Sequence, residues 1–356
     1  MDIQCWHMVG ADEPLERTKR AFDPRTLDGD RVLVEVAGCG VCHTDLGFYY
    51  DGVRTRHELP LTLGHEISGR VIEAGPDSKH LVGRNVVVPA VIPCGECEPC
   101  RAGRGAICAS QFFPGNDDHG GFASHVVVPG HGLCVVDDDK LRASGVDLSM
   151  LSVIADAVTT PYQALLNADV KAGDVCIFIG IGGVGTFGVQ LARAMGAHVV
   201  AIDIDEERLS RVAEIAELCL VPEDPRATKK AIAQWAKDSG YPSWGWNIFE
   251  TSGHAGGQQL AFSLLGYDAH LGVVGYTRDK IEVRMSNLMA FDASVRGTWG
   301  CLPEHYPAVV DRVLEGAVKL DGFIEKIPMS QINEVFASVH DHRLKLRPVL
   351  IPDFDR

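Results

Sequence analysis

Short apolar runs interrupted by glycine and proline dominate about the first 150 residues of the chain. The runs hold four to seven residues and are rich in β-branched side chains, which predicts β-strands rather than helices. Their composition and punctuation are typical of a β-rich, barrel-like domain. The predicted strands of this part lie at 31–37, 67–73, 85–89 and 124–129.

After about Asp156 the pattern changes to apolar runs that alternate with helix-favouring stretches. Such alternation predicts βαβ units that build a parallel sheet. From about residue 299 the pattern predicts a further helix over 306–318 and then short mixed elements. The predicted strands of the middle part are 175–179, 198–202, 246–250 and 270–275, and its predicted helices are a stretch ending at Ala194 and the charged stretch 206–217.

Length and charge narrow the kinds of protein that the chain can be. Its 356 residues suggest about two domains, and a hydrophobic content of 46% is enough for packed cores. With 33 Lys and Arg against 48 Asp and Glu, the formal net charge is −15, which disfavours nucleic acid as a partner. The N-terminus lacks an apolar signal-peptide core, and the weakly polar stretch 175–189 is too short to span a bilayer. We therefore expect no membrane partner and a cytoplasmic location.

Four of the eleven cysteines form a compact cluster with the spacing C-x2-C-x2-C-x7-C. Because disulfides are unstable in a reducing compartment, such a cluster indicates a metal site first. Two-residue gaps let the thiolates converge on one tetrahedral ion, and the spacing differs from the ferredoxin patterns for iron–sulfur clusters. Four thiolates leave no open position, so the predicted zinc ion is structural. Its ligands are Cys94, Cys97, Cys100 and Cys108.

A second candidate metal site combines Cys42 with the neighbours His65 and Glu66, which together supply a thiolate, an imidazole and a carboxylate. A catalytic zinc ion typically has three protein ligands of mixed type and a fourth position for water or substrate. The Gly-His-Glu triplet alone is weak, since a chain with 14 histidines places some of them beside glutamate by chance. The order of the motifs strengthens the prediction of a metal site, because Cys42 and the Gly-His-Glu triplet are followed by the four-cysteine cluster and then by a glycine-rich turn.

The glycine-rich turn follows a predicted strand and precedes a predicted helix, as a dinucleotide-binding motif requires. Glycines there permit a tight turn and let the backbone approach a pyrophosphate at the helix N-terminus. At the end of the next predicted strand, the Asp203 carboxylate can accept both ribose hydroxyls of NAD but would repel the 2′-phosphate of NADP. We therefore predict NAD as the cofactor. The motif residues are Gly180, Gly182, Gly183, Val184 and Gly185.

With these motifs in this order, the chain resembles the medium-chain, zinc-dependent alcohol dehydrogenase family over essentially its whole length. The stretch 64–75, GHEISGRVIEAG, is similar to the zinc signature of the family. The resemblance implies that Cys42 and His65 bind a catalytic zinc ion and that Glu66 is an alternate or nearby ligand. The third ligand of the family is often a cysteine shortly before a Thr-x-Tyr stretch. Here that segment reads DAVTTPY, so Asp156 takes the position.

The same resemblance implies roles around the reacting atoms. The zinc ion would activate an alcohol, Thr44 would take the alcohol proton, and the nicotinamide would accept the hydride. A histidine that continues the proton relay in many relatives is replaced here by Gly47, so the last step must use water or another group. His43 and Arg347 would contact the pyrophosphate. The backbone of Val274–Tyr276 would hold the nicotinamide amide.

Pattern and resemblance together predict the fold class, a GroES-like β-barrel catalytic domain plus a Rossmann domain with a doubly wound parallel sheet. The catalytic domain is predicted to span 1–155 and to be completed by 299–356, with the NAD-binding domain at 156–298. Dinucleotides bind at the carboxyl ends of the strands in such sheets, so we expect the active site in the cleft between the domains. Resemblance to bacterial members of the family implies a homotetramer.

The substrate is the feature that the residues constrain least. Within the family, the chain is most similar to the dehydrogenases of 6-hydroxycyclohex-1-ene-1-carbonyl-CoA, which act in anaerobic benzoyl-CoA degradation. The similar segments are WHM at 6–8, the segment that begins at Asp156, and RPVLIPDF at 347–354. This resemblance implies that a cyclic allylic alcohol on a CoA thioester is oxidised to the conjugated ketone.

Other functions stay open from the sequence. The enzyme could oxidise free secondary or allylic alcohols or polyols, and zinc-activated water could also add to the enone product. The chain could instead be a non-catalytic protein that binds NAD and zinc on the same scaffold. The joint presence of Cys42, His65 and Thr44 argues against that alternative. A zinc-free enone reductase of the same fold is disfavoured by both metal motifs.

Overall fold

The computed structural model describes residues 1–354, which contain fifteen strands and eleven α-helices. The strands are β1 (Asp2–His7), β2 (Glu16–Ala21), β3 (Arg31–Gly40), β4 (Glu66–Ala74), β5 (Asn85–Val88), β6 (His125–Pro129), β7 (Cys134–Val135), β8 (Val175–Ile179), β9 (His198–Ile202), β10 (Leu218–Leu220), β11 (Asn247–Glu250), β12 (His270–Val273), β13 (Ser294–Gly297), β14 (Ile324–Pro328) and β15 (Arg347–Ile351). The α-helices are α1 (His43–Tyr49), α2 (Glu98–Arg101), α3 (Asp138–Ser144), α4 (Thr159–Asn167), α5 (Gly185–Ala194), α6 (Glu206–Val212), α7 (Pro225–Ser239), α8 (Ala255–Leu264), α9 (Ser286–Phe291), α10 (Tyr306–Leu314) and α11 (Ile332–His340). Short 3-10 helices lie at Pro24–Thr26, Pro76–Leu81, Gly105–Ile107, Leu148–Ala155, Pro303–His305 and Met329–Gln331.

The chain forms two compact units, each of which is built around its own sheet. The first unit comprises Met1–Thr159, Gly300–Gly316 and the described residues from Leu320 to Phe354. The second comprises Thr160–Trp299 and the short segment Ala317–Lys319. Among the described residues, no helix combines the length and the apolar character needed to cross a membrane.

A seven-stranded sheet organises the first unit, with the order β14-β15-β3-β4-β5-β7 and with β6 paired to β3. β3 is the hub of this sheet, because it is antiparallel to β4, β6 and β15. Side chains alternate between the two faces of a strand, and Val32 and Val34 point into the main core of the unit. On the other face, Leu33 packs with Ile3 of the β1–β2 hairpin. Burial on both faces holds β3 in one register.

The second unit contains an open sheet of six parallel strands in the order β10-β9-β8-β11-β12-β13. All five residues of β8, VCIFI, are buried, as is typical of a parallel strand that is covered on both faces. From β8 the chain continues to β9 and β10 on one side and returns to β11 on the other. The carboxyl ends of β8 and β11 therefore form the switch point at which open α/β sheets bind ligands.

Every strand predicted from the apolar pattern overlaps an observed strand, but two predicted helices are shorter in the structure. α6 ends at Val212, whose carbonyl accepts the N–H groups of Ile215 and Ala216 in a turn, and the Glu217 N–H then donates to the Val199 carbonyl of β9 at 2.9 Å. α10 ends at Leu314, close to Gly316, whose φ of +80° is incompatible with a continuing helix. Hydrophobic periodicity alone carries neither of these stop signals.

Candidate active site

Strand pairing in the first unit brings the predicted zinc ligands together. β3 and β4 are antiparallel, with Gly40 opposite Glu66. Cys42 follows the end of β3 by two residues, and His65 immediately precedes β4, so both residues lie at the same end of the strand pair. Asp156 directly follows the long 3-10 helix, which packs against β3 and β4.

These residues form a compact cluster of possible metal ligands. Cys42, His65, Glu66 and Asp156 each place one ligand atom within 4.8 Å of all the others. Asp156 Oδ2 lies 3.3 Å from Cys42 Sγ and 3.5 Å from His65 Nε2. Ligand atoms bound tetrahedrally to one zinc ion at about 2.0 to 2.3 Å lie about 3.3 to 3.8 Å apart. Both the separations and the donor types therefore fit a zinc ion.

The buried Asp45 carboxylate orients the two segments that carry the ligands. Its Oδ2 accepts the Cys42 N–H at 2.9 Å, while its Oδ1 accepts the Gly64 N–H at 3.1 Å. The same Oδ1 lies 3.3 Å from His65 Nδ1, so the Nε2 atom of the ring faces Cys42 and Asp156. Burial alone would lower the pKa of His65, but Asp45 and Asp156 outweigh burial and hold this pKa well above its ordinary value. The cluster therefore favours positive charge, as a cation site should.

Glu66 lies beside the cluster in a buried ion pair with Arg347. Arg347 Nε donates to Glu66 Oε2 at 2.9 Å, and Nη2 donates to Oε1 at 2.5 Å. Glu66 Oε1 also accepts the Ala157 N–H at 3.1 Å. Burial raises the pKa of Glu66, and Arg347 opposes this shift. Zinc binding by Glu66 would have to compete with these bonds, and Arg347 would have to reach a pyrophosphate from within the pair, so both roles stay predictions.

Thr44 is the second residue of α1 and lies next to the candidate zinc site. Its Oγ1 is 3.7 Å from Cys42 Sγ, which places a hydroxyl beside the ligand cluster. His43 begins the same helix, is exposed, and has its ring 6.1 Å from that of His342 between centroids. The proposed contact of His43 with a pyrophosphate therefore stays a prediction, although its side chain is accessible.

The four clustered cysteines converge around the short helix α2. Cys97 Sγ lies 3.4 Å from Cys100 Sγ and 3.7 Å from Cys108 Sγ, and Cys94 Sγ lies 3.4 Å from Cys108 Sγ. Four sulfur atoms bound to zinc at about 2.3 Å form a tetrahedron with edges of about 3.8 Å, so the spacing fits. The N–H groups of Cys100 and Ala109 lower the pKa of Cys97 to about 6, which favours the thiolate that zinc requires.

A third group of metal-binding residue types was not singled out by the sequence. His57, Asp118 and His119 have ligand atoms within 4.8 Å of one another. However, His119 Nδ1 accepts the Thr62 N–H at 3.2 Å, whereas a metal-binding histidine usually donates from its second ring nitrogen. Burial lowers the pKa of His119 to about 4, so the ring is neutral at pH 7. The hydrogen bonding fits a neutral histidine within the fold better than a metal ligand.

In the second unit, the glycine-rich turn lies between β8 and α5, where the motif places it. Gly180 has a φ of +91°, which residues with a side chain rarely adopt. A Cβ atom on Gly185 would lie 1.9 Å from the Gly180 carbonyl oxygen, so the start of α5 is in direct contact with the turn. Gly182, Gly183 and Val184 complete the turn at the switch point of the sheet.

Asp203 follows β9 and binds the glycine-rich turn through its side chain. Its Oδ2 accepts the Ile181 N–H at 2.6 Å, and its Oδ1 accepts the Asp205 N–H at 2.9 Å. Arg208 of α6 lies at the same turn, with its Nη1 3.8 Å from the point that a Cβ on Gly182 would occupy. Arg208 is not among the residues predicted from the sequence. Its position on the helix after the acidic residue is the signal that could have identified it.

The segment that is predicted to hold the nicotinamide follows β12. The N–H groups of Val274 and Gly275 both donate to the Glu250 carbonyl oxygen at 2.9 Å, and Tyr276 is largely exposed. Because β8, β11 and β12 are parallel neighbours, this segment and the glycine-rich turn lie at the same edge of the sheet. The contact with nicotinamide itself stays a prediction.

Over nearly its whole length, the chain is similar to known dehydrogenases. An alcohol dehydrogenase of Geobacillus stearothermophilus is 28% identical over 344 residues, which cover 96% of this chain and 97% of that protein. The D-arabinose 1-dehydrogenase (NADP(+)) of Saccharolobus solfataricus is 29% identical over 342 residues, 91% of each chain. The crystal structure of the alcohol dehydrogenase from the archaeon Aeropyrum pernix matches with a TM-score of 0.85 at 26% identity, and covers 98% of this chain and 100% of that one.

Two family models match separate parts of the chain, one within the first unit and the other mostly within the second. The model of the alcohol dehydrogenase GroES-like domain matches residues 28–138, and that of the zinc-binding dehydrogenases matches residues 183–315. With the two ligand clusters, these matches define a zinc-binding dehydrogenase. The chain belongs to the medium-chain, zinc-dependent alcohol dehydrogenase family and is an oxidoreductase. The predicted fold class, a GroES-like domain plus a Rossmann-like parallel sheet, is confirmed.

Proposed function

We propose that the protein is an NAD-dependent alcohol dehydrogenase that oxidises its substrate at the cluster of Cys42, His65 and Asp156. The observation that carries the proposal is the meeting of a thiol, an imidazole and a carboxylate at 3.3 and 3.5 Å, with the Thr44 hydroxyl 3.7 Å from the thiol sulfur. A structural zinc site needs four protein ligands and no hydroxyl beside them. The four-cysteine cluster meets that description, and we assign it to stability alone.

The residues around the cluster have different roles in the proposed reaction. A zinc ion held by Cys42, His65 and Asp156 would supply Lewis-acid activation of the alcohol, and NAD would take the hydride. Asp45 keeps the His65 ring in the orientation that ligation needs. The Thr44 hydroxyl accepts the proton of the alcohol hydroxyl and gives up its own hydroxyl proton. Gly47, three residues further along α1, carries no side chain to receive that proton, so it passes to water or to another hydroxyl.

Asp203 supports NAD rather than NADP as the cofactor. Asp203 is buried, and its carboxylate accepts the N–H group of Ile181 in the glycine-rich turn and that of Asp205 after β9. A carboxylate at this position accepts hydroxyls of an unmodified ribose and repels a 2′-phosphate. Arg208 lies nearby, and its Nε atom is 3.8 Å from Asp205 Oδ2. The negative charge of Asp205 weakens the attraction of Arg208 for a phosphate.

We further propose that the substrate is a cyclic allylic secondary alcohol on a CoA thioester, 6-hydroxycyclohex-1-ene-1-carbonyl-CoA, which is oxidised to the conjugated ketone. The support is the sequence resemblance of three segments: 6–8, the segment from Asp156, and 347–354. A second candidate class is a free alcohol or polyol. It is favoured by relatives named for sugar-derived substrates, among them D-arabinose 1-dehydrogenase (NADP(+)) and a 2-dehydro-3-deoxy-L-galactonate 5-dehydrogenase of Pseudoalteromonas atlantica.

Rates of NAD reduction with matched substrates test the proposal. We expect the CoA thioester to exceed free cyclohex-2-en-1-ol in kcat/KM by about 100-fold, because contacts with the CoA part would contribute about 2.7 kcal/mol of transition-state stabilisation. A sugar alcohol serves as the third substrate. If the free alcohol or the sugar alcohol equals the thioester, the CoA assignment is wrong while the dehydrogenase assignment stands. If none is oxidised by a protein with bound zinc and NAD, the non-catalytic alternative gains support.

The same assay with NADP in place of NAD tests the cofactor choice. We expect kcat/KM to fall by about 100-fold or more with NADP, because a 2′-phosphate would meet the Asp203 carboxylate at the glycine-rich turn. Asp203→Ala is expected to narrow the difference between the two cofactors. Equal efficiency of NAD and NADP with the unchanged protein would contradict the assignment.

We also propose that four chains assemble as a homotetramer in which edge strands of the parallel sheets pair. All four residues of β13, the last strand of the sheet, are exposed, and Met285 and Met289, which shortly precede it in the chain, are 64% and 79% exposed. An exposed edge strand with apolar neighbours is a ready surface for pairing with another strand. Sedimentation analysis is expected to give four times the mass of the chain, and a single-chain mass would contradict this proposal.

A further inference from the structure

A buried glutamate at the centre of the second unit has no role in the function proposed above. Glu250 is the last residue of β11, which lies between β8 and β12 in the parallel sheet. Its side chain is fully buried, although it carries an ionisable group. Burying a charged group is unfavourable unless hydrogen bonds compensate for the lost water. The contacts of Glu250 therefore indicate what it stabilises.

One carboxylate oxygen of Glu250 holds the turn that follows β11. Its Oε1 accepts the Ser252 N–H at 2.8 Å, the Ser252 hydroxyl at 2.5 Å and the Gly253 N–H at 3.1 Å. We call residues 251–253 the β11 turn. The side chain of Glu250 thus binds three donors of one turn, while its main-chain oxygen accepts the N–H groups of Val274 and Gly275 at 2.9 Å. Glu250 joins the β11 turn to the segment after β12.

The β11 turn packs directly on the backbone of that segment. Gly253 has a φ of +64°, and a Cβ atom there would lie 2.8 Å from the Tyr276 carbonyl oxygen. A Cβ on Gly275 would lie 2.2 Å from the Gly253 N atom. Such distances are far below ordinary contact, so only glycines permit this approach. A small displacement of the β11 turn would therefore displace the segment after β12.

The other side of the β11 turn contacts the glycine-rich turn after β8. A Cβ on Gly180 would lie 2.5 Å from Ser252 Cα. Thr251 Oγ1 donates to the Gly180 carbonyl at 2.7 Å or to the Ile179 carbonyl at 3.0 Å. The β11 turn is thus wedged between the two segments that are predicted to bind the pyrophosphate and the nicotinamide. It touches each of them through backbone atoms, which cannot rearrange as side chains do.

We propose that Glu250 is a positioning residue for dinucleotide binding, which holds the β11 turn between the glycine-rich turn and the segment Val274–Tyr276. This inference rests on the proposed use of a nicotinamide dinucleotide. Glu250 acts through the hydrogen bonds that its Oε1 accepts. When these bonds are lost, three donors lose their acceptor and the β11 turn can shift. The glycine-rich turn and the segment Val274–Tyr276 then no longer keep their positions relative to each other.

The second oxygen of Glu250 makes a conservative variant possible. Among the described residues, Glu250 Oε2 has no hydrogen-bond partner. A glutamine can therefore present its carbonyl oxygen to the three donors and place its amide group where Oε2 lies. Glu250→Gln should keep the β11 turn in place, whereas Glu250→Ala removes the acceptor. Gln258 lines the same cavity as Glu250, together with Phe262 and Leu271. Gln258→Ala therefore serves as a matched control, because it also removes a polar side chain from this cavity.

Steady-state kinetics and direct NAD binding test this proposal. For Glu250→Ala we expect KM and Kd for NAD to rise by about tenfold or more, with the KM for alcohol and the kcat at saturating NAD changed less than about threefold. Zinc content should not change. For Glu250→Gln and for Gln258→Ala, we expect KM and Kd for NAD to stay within about threefold of those of the unchanged protein. A role in global stability alone would leave the NAD constants unaltered.

A second variant perturbs the β11 turn without touching Glu250. Gly253→Ala places a methyl group 2.8 Å from the Tyr276 carbonyl oxygen, so it should raise the KM for NAD as Glu250→Ala does, even if the latter fails to fold. The inference is wrong if Gly253→Ala and Glu250→Ala both leave the NAD constants within about twofold, or if Glu250→Gln is as impaired as Glu250→Ala. If the unchanged protein binds no NAD, the proposed function itself fails.

Discussion

Asp156→Ala is expected to remove one of two zinc ions per chain and to lower turnover by about a thousandfold. Asp156 Oδ2 is the atom that lies close to both Cys42 Sγ and His65 Nε2, at 3.3 and 3.5 Å. Without it, one thiol and one imidazole remain, and the oxygens of Glu66 are engaged by Arg347 and by the Ala157 N–H. Loss of metal activation corresponds to several kcal/mol of barrier, and about 1.4 kcal/mol is tenfold in rate.

Metal analysis and turnover on the same samples check this result. Asp156→Cys restores a thiolate, an accepted zinc ligand, and should recover the second zinc ion and much of the activity. The exposed Asp139 is a matched control for loss of an acidic side chain in the same unit, and Asp139→Ala should change neither quantity. If Asp156→Ala retained two zinc ions and ordinary turnover, Glu66 would have to be the ligand in its place.

Cys108→Ser is expected to remove the other zinc ion and to lower the free energy of unfolding by about 4 kcal/mol. Cys108 is buried, and its Sγ lies 3.4 Å from Cys94 Sγ and 3.7 Å from Cys97 Sγ. It also accepts the N–H groups of Cys94 and Ser110, both at 3.3 Å. A serine hydroxyl binds zinc poorly, and the sulfurs that remain cannot close the coordination of the ion.

Urea unfolding and zinc content measure this loss, with Cys219→Ser as the control. Cys219 is half-buried in β10, outside both ligand clusters, and its thiol can donate to the Leu209 carbonyl at 3.8 Å. A serine there can keep that donor, so we expect two zinc ions and a change below about 1 kcal/mol. Equal stability of Cys108→Ser and the unchanged protein would show that the four-cysteine cluster does not support the fold.

The local features of both sites could be predicted from the sequence, because their residues are close together in the chain. The spacing of Cys94 to Cys108 limits the loop enough that four sulfurs can converge. The structure places all four within 4.8 Å of one another, and three of the sulfur pairs are 3.4 to 3.7 Å apart. The glycine-rich turn likewise lies between a strand and a helix, as its composition indicated. Helix ends were less predictable, since α6 and α10 end where hydrogen bonds and backbone angles outside the apolar pattern intervene.

Long-range partners could not be predicted from the same signals. The resemblance placed Arg347 at a pyrophosphate, but the sequence contained no sign of its ion pair with Glu66, 281 positions away. In the sequence, Glu250 is only the end of an apolar run, although its carboxylate binds three donors of the turn that follows. In both cases the partner depends on which strand ends lie side by side, and composition does not record that.

By itself, the sequence determined which chemistry is available: thiolates and an imidazole for zinc, a glycine-rich turn with Asp203 for a dinucleotide, and a family resemblance that the comparisons confirm. The tertiary structure alone decided which residues meet. Cys42 and His65 meet because β3 and β4 pair with Gly40 opposite Glu66. That register is set by burial of both faces of β3 against strands from distant parts of the chain, and such burial is a property of the whole folded unit rather than of any local segment.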